Sequence, residues 1–218
     1  MTGLLKNNFY ASVANAKIFS VAMVIFGIAV VYLDNDSRTL LLAYLLISMV
    51  GFPANAIAGM RKEYGSKWCK YKLTFPLKRK EIVGSYFLSQ LVWLLVGILF
   101  AGACVSLSIC IHGFPFDRNT DVFMAFTIGI SMSLFMGAVF YPFFYLGGEE
   151  RNEVIFILSL LCAVVMIAGA TAAINCALGP NPTTPEVIIG AVIILCLSGI
   201  TFVVSYFLTV NIFQKKEF

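Results

Sequence analysis

Residues 154–178 read VIFILSLLCAVVMIAGATAAINCAL, twenty-five positions without one charged side chain. A helix needs about 20 mostly apolar residues to cross the hydrocarbon core of a bilayer. In lipid the backbone must satisfy its own hydrogen bonds, so a continuous run of this length reads as a spanning helix. A β-barrel strand would instead be short and alternating. Five further runs qualify or nearly do: 18–33, 39–60, 82–111, 122–148 and 187–213. The first is short alone but extends back through Ala14 and Ala16. The fold class is therefore all-α, a polytopic membrane protein with six transmembrane helices.

Composition agrees. Of 218 residues, 60% are hydrophobic and 12% charged, and the mean hydropathy is +0.92. A soluble domain carries about 25% charged residues. Half that charge cannot cover a globular surface, which excludes a disordered chain, a disulfide-rich secreted module and a soluble enzyme. Cys104, Cys110, Cys162, Cys176 and Cys196 lie in or beside apolar runs, Cys69 lies in a basic loop, and no CxxC occurs. They read as small packing residues. The first seventeen residues lack a long apolar core followed by a cleavage pattern, so no removable signal peptide is expected.

The breaks between runs are local chemistry. Asp34-Asn35-Asp36-Ser37-Arg38 is a polar turn with caps for both neighbours. Gly113-Phe114-Pro115 stops the third run and Asp121 suits the start of the fourth. Gly147-Gly148 ends the fourth, and 179–185, GPNPTTP, cannot be helical throughout. Pro142 removes a backbone hydrogen bond near the end of the fourth span and predicts a kink.

Lys and Arg decide orientation. Six spans put both ends of the chain on one side. That side would hold Lys6, Lys17, eight basic residues between Arg61 and Lys80, Arg151, Lys215 and Lys216, against Arg38 and Arg118 opposite. Both termini, the long basic loop and the 148–153 turn are expected in the cytoplasm. Because the basic cluster sits between two spans, topology explains it without nucleic acid.

Two cytoplasmic elements carry a pattern. Leu5, Phe9 and Val13 recur every four residues, with Leu4 beside them. This predicts an N-terminal amphipathic helix in the interface, turning into the first span near Lys17. In the loop, residues 61–72 place Tyr64, Trp68 and Tyr71 at i, i+4 and i+7 on an otherwise cationic helix, with Glu63 and Lys67 as an i, i+4 pair. Pro76 breaks it and can start the next helix, whose first turns carry Lys78, Arg79 and Lys80. Such a helix can lie on anionic membrane lipids or dock in a groove of a protein partner. Glu149, Glu150 and Arg151 form an acidic-basic turn suited to a helix start or to a second partner contact.

The spans carry little chemistry. Charged side chains are absent from the interiors of 39–60, 82–111, 122–148 and 154–178. Ion relays and proton paths use such groups, so an ion-coupled pump has no visible coupling residue. Asn55, Gln90 and Asn175 read as helix–helix hydrogen bonds. The phenylalanines crowding the fourth span, Phe123, Phe126, Phe135, Phe140, Phe143 and Phe144, read mostly as lipid-facing. His112 cannot build a metal site alone. No GxxxxGK[ST] occurs, so energy for uphill movement must come from another chain.

The layout resembles the compact six-span permeases of ABC-2-type transporters, the membrane halves of type V ABC exporters. The most specific stretch is Glu63, Trp68 and Tyr71 followed by Leu73-Thr74-Phe75-Pro76-Leu77-Lys78-Arg79-Lys80-Glu81-Ile82-Val83. It is similar to the E…W..Y..TLP.sR..IV pattern of bacterial permeases in this group, with Phe75 where Leu is usual. Tyr141-Pro142 through Gly147-Gly148-Glu149-Glu150-Arg151 resembles the group's P…y.G.EK.R stretch. One departure is visible: many relatives carry re-entrant helices between the fifth and sixth spans, and only about residues 178–186 lie between them here.

The resemblance implies that residues 1–218 are a single transmembrane permease domain: interfacial helix 1–17, spans one and two over 18–60, a coupling-helix loop over 61–81, four spans over 82–213, and a tail over 214–218. It implies a homodimer of permeases with two cytoplasmic ATPase subunits, in the bacterial cell membrane. The coupling contact would involve Glu63, Tyr64, Lys67, Trp68, Tyr71, Pro76, Arg79, Glu149, Glu150 and Arg151. ATP and Mg2+ would be held by the ATPase, with no cofactor bound by this chain. Relatives export phenol-soluble modulins and other amphipathic or antimicrobial peptides, which makes a peptide the expected substrate. The alternative is a membrane scaffold or sensor that docks a cytoplasmic partner without transport. An integral membrane enzyme would need clustered catalytic groups, and none is present in the pattern.

Overall fold

A computed structural model describes residues 2–33, 38–65, 78–113, 116, 119–147, 151–178 and 183–215. Among these, six helices follow in order: α1 (Thr2–Leu33), α2 (Arg38–Gly65), α3 (Arg79–His112), α4 (Asn119–Gly147), α5 (Asn152–Leu178) and α6 (Thr184–Lys215). They are 27 to 34 residues long, or about 40–51 Å at ~1.5 Å per residue. All six are long and apolar enough to span a bilayer. Each expected apolar run lies in its own helix, as internal backbone satisfaction requires.

Helix ends follow the local chemistry where they are described. Gly113 closes α3 at φ 82°, a left-handed conformation that glycine adopts without a Cβ penalty, and its N–H donates to the Ile109 carbonyl at 3.1 Å. Pro142 lies inside α4, and Pro53 lies inside α2. The question of re-entrant helices after Leu178 falls on residues 179–182, which lie outside the described residues.

The N-terminal segment corrects one expectation. Residues 2–33 form one uninterrupted helix, with no turn near Lys17. The sequence Ala14-Asn15-Ala16-Lys17 offers no proline or glycine to break it. The buried seam also differs from the expected apolar stripe. Leu4, Asn8, Ser12, Ala16 and Met23 face inward, whereas Phe9 is 42% exposed. Helix association in lipid favours small and hydrogen-bonding side chains, since burying apolar surface gains little there. At Gly59 of α2 the missing side chain leaves room for Ser12.

The most extensive pairings join α4 to α6 and α2 to α3, with α1 laid on α2 and α3 and α5 on α4. The core contains Phe52, Phe135, Phe140, Phe144 and Phe213, with Tyr141. Thus Phe135, Phe140 and Phe144 of the fourth span are core, and Phe123 and Phe143 are exposed. The lipid-facing expectation holds for only part of that set.

Cross-helix contacts fix two ends of the bundle. Asn7, Glu63 and Tyr86 meet at one end, as do Arg61 with Glu153 and Arg79 with Phe213. This end holds the start of α1, the end of α2 and the start of α3, from which residues 66–77 leave and return, together with the start of α5 and the end of α6. At the opposite end His112 contacts the Val31 carbonyl at 2.8 Å.

Candidate coupling site

The end of the bundle where α2 stops and α3 starts is the polar part of the molecule. Glu63 stands in the last turns of α2 and is only 5% exposed. A buried carboxylate is costly unless it accepts hydrogen bonds. Here the Asn7 side-chain amide donates to Oε1, and the Tyr86 hydroxyl donates to Oε2 at 2.6 Å. One side chain of α2 therefore joins α1 and α3. Charge-assisted bonds of this kind are stronger than neutral ones.

Neutral bonds surround it. Asn8 Nδ2 donates to Ser85 Oγ at 2.9 Å, and Ser85 donates to the Ile82 carbonyl at 2.7 Å. The Tyr141 hydroxyl of α4 donates to the Tyr86 carbonyl at 3.2 Å. Phe9 stacks on Trp93 with ring centroids 5.2 Å apart, and Trp93 lies 6.4 Å from Phe52. The first turns of α1 are thus part of the bundle.

Arg79 opens α3 on the far side of the 66–77 segment. Its Nη1 donates to the carbonyls of Phe213 and Gln214, both at 2.9 Å. The last carbonyls of a helix have no partner within the helix, and a cation there also opposes the helix dipole. The guanidinium carbon lies 5.6 Å from the Phe213 ring centroid. Tyr206 of α6 adds a 3.3 Å bond to the Lys80 carbonyl. Arg61 pairs with Glu153 at 3.1 Å, but their side chains are 31% and 84% exposed, so this pair adds little stability.

Of the residues singled out from sequence, the structure brings Glu63 and Arg79 to the two roots of the 66–77 segment. Glu63 is buried and bonded to Asn7 and Tyr86, while its i, i+4 pairing with Lys67 falls on a residue outside the described ones. Two donors, the Asn7 amide and the Tyr86 hydroxyl, hold it there. Arg151 is exposed at the start of α5. Tyr64 lies in the last turn of α2, and nothing is described of its side chain. Lys67, Trp68, Tyr71, Pro76, Glu149 and Glu150 lie outside the described residues. Asn7, Tyr86 and Phe213 were missed. Asn7 lies off the Leu5, Phe9 and Val13 stripe of α1, and Tyr86 carries no pattern.

Farther in, polar groups serve packing. Gln90 is fully buried, donates to the Ser133 carbonyl at 2.8 Å and lies over Gly137. Ser198 and Ser131 meet at 3.3 Å, and Ser205 donates to the Ala138 carbonyl at 2.6 Å, joining α6 to α4. Asn55 bonds the Gly51 carbonyl of its own helix, so it does not act between helices. Near the opposite end an apolar groove of about 460 Å3 runs between α1 and α3, lined by residues such as Gly27, Tyr44, Leu99 and Cys104. Among the described residues no group of three His, Cys, Asp or Glu is placed to hold a metal.

Six apolar helices joined at one end by a polar cluster, with a basic segment leaving from that cluster, define a multi-pass membrane protein with one concentrated contact region. A family model described as an ABC-2 family transporter protein matches residues 3–214. The chain belongs to that family. It is a permease subunit of an ABC transporter, a membrane transport component of a family that is not itself catalytic and that implies an ABC ATPase subunit as partner. No curated protein and no solved structure matches it.

Proposed function

We propose that this chain is the permease of an ATP-driven exporter that moves amphipathic or antimicrobial peptides out of a bacterial cell. Two copies form a homodimer, each a single permease domain over 1–218, and two ATPase subunits bind the polar end, where ATP and Mg2+ are held by the ATPases. That end faces the cytoplasm with both termini, in keeping with the bias of Lys and Arg. Tyr64, Lys67, Trp68, Tyr71 and Pro76 form the coupling helix in a groove of the ATPase. Glu149, Glu150 and Arg151 make a second contact.

The observation that supports this reading is the anchoring of both roots of the 66–77 segment. Glu63 ties one root to α1 and α3, and Arg79 ties the other to α6. Displacing the segment by an ATPase would therefore act on several spans at once.

Affinity purification from native membranes in mild detergent, with mass spectrometry of what accompanies the chain, tests it. A stoichiometric ABC ATPase whose hydrolysis rises with amphipathic helical peptides is the expected result. An associated ATPase that no such peptide stimulates would remove the peptide reading and keep the permease.

A further inference from the structure

We propose that Glu63 is a positioning residue of the transport cycle: its carboxylate, held by Asn7 and Tyr86, is the latch through which movement of the 66–77 segment reaches α1. The inference rests on the reading above, that this segment meets an ATPase.

The geometry is specific. Glu63 lies two residues before Gly65, where the description of α2 ends, so it moves with the root of the segment. Its two oxygens are divided between two helices, Oε1 to Asn7 of α1 and Oε2 to Tyr86 of α3. α1 is peripheral and packs on α2 and α3. Its other contacts with them are neutral: Asn8 bonds Ser85, Phe9 stacks on Trp93, the Val31 carbonyl meets His112, and Ser12 lies beside Gly59. Among these contacts the carboxylate is charge-assisted and directional, and it stands at the end of α2 from which residues 66–77 follow.

A purely structural role would be filled as well by an apolar group. Replacing a buried polar cluster by hydrophobic residues is often neutral or stabilising. An ionisable side chain buried at the end of an apolar bundle is therefore a candidate for function.

The test uses the permease–ATPase complex in lipid nanodiscs and reads amide hydrogen exchange over residues 2–16 and 61–65, with and without ATP. In the wild type, ATP changes exchange in both segments. Asn7→Ala keeps the bound ATPase and the change at 61–65. Its change over 2–16 falls about tenfold, equivalent to about 1.4 kcal/mol of coupling. Asn7→Asp, which sets two carboxylates together, behaves the same. Asn7→Asp combined with Glu63→Gln exchanges donor and acceptor and recovers the response. Tyr86→Phe deletes one oxygen, and should Asn7→Ala fail to assemble, an attenuated response in Tyr86→Phe carries the same result. An unchanged ATP response over 2–16 in Asn7→Ala, or no recovery in the exchanged pair, overturns the latch alone. A wild-type chain that binds no ATPase overturns the latch together with the coupling reading.

Discussion

Gly97 of α3 lies against the backbone of α2 at Ser48. A Cβ on residue 97 would stand 2.7 Å from the Ser48 carbonyl oxygen and 3.2 Å from the Met49 Cα. Neither atom can rotate away as a side chain could. This close approach sets the spacing of one of the most extensive helix pairings in the chain.

Gly97→Ala should therefore force α2 and α3 apart. Overpacking of this kind costs about 1–3 kcal/mol. Gly102, one turn and a residue farther along α3, has no atom within 4 Å of its would-be Cβ. Gly102→Ala is the control and should be neutral or slightly stabilising, since alanine favours helix over glycine. Thermal melts of both variants in one detergent decide it: equal melting temperatures would refute the contact.

Gln90 makes a second prediction. Its Nε2 reaches the Ser133 carbonyl, but its Oε1 finds no partner among the described residues. An unpaired carbonyl offsets much of the benefit of the bond. Gln90→Met, close in volume, should change stability by less than about 1 kcal/mol. Gln90→Ala opens a void beside Gly137 and should cost about 2 kcal/mol. Unfolding of both variants in mixed micelles separates volume from hydrogen bonding. A large loss in Gln90→Met would show that the amide itself holds α3 to α4.

The third concerns Arg79. Arg79→Ala leaves the Phe213 and Gln214 carbonyls without their guanidinium. The last turn of α6 should fray, with a loss of about 0.5–1 kcal/mol. Amide exchange over residues 210–215 should quicken while α4 is unaffected. Arg79→Lys should recover only part of the protection, because an ammonium is a point charge without the planar fork. Full protection in Arg79→Ala would mean that the Tyr145–Phe213 ring contact, 4.9 Å between centroids, holds the end of α6 alone.

How much of this was legible in the sequence differs by level. The six spans were, because a long run without charge has one stable form in lipid. The stop at Gly113 was, because a glycine after an apolar run can take the left-handed turn that ends a helix. The facing of individual side chains was not. Asn8, Ser12 and Ala16 pack inward while Phe9 is partly exposed, since the bilayer removes the hydrophobic sorting that makes a soluble helix readable. For the same reason composition could not separate buried Phe135, Phe140 and Phe144 from exposed Phe123 and Phe143. Glu63 was noticed for its motif and its spacing to Lys67. Asn7 and Tyr86, which bond it, lie 56 and 23 residues away, and no local pattern reports contacts at such separations.

The aromatic stripe at Tyr64 and Trp68 carries the last prediction. On the proposed coupling role, these rings sit in an apolar groove of the ATPase, and aromatic anchors of this kind dominate interface energetics. Truncating one costs about 2 kcal/mol or more. The double variant Tyr64→Ala with Trp68→Ala should therefore lose bound ATPase at least thirtyfold, taking ~1.4 kcal/mol per tenfold. The bundle should still fold, because Asn7, Glu63 and Tyr86 are all retained in this variant. Co-purification from membranes, read beside the melting temperature of the permease, separates the two effects. Loss of the ATPase at an unchanged melting temperature is the expected pattern. Retention of the ATPase at wild-type stoichiometry would move the docking surface elsewhere, with Glu149, Glu150 and Arg151 the next residues to change.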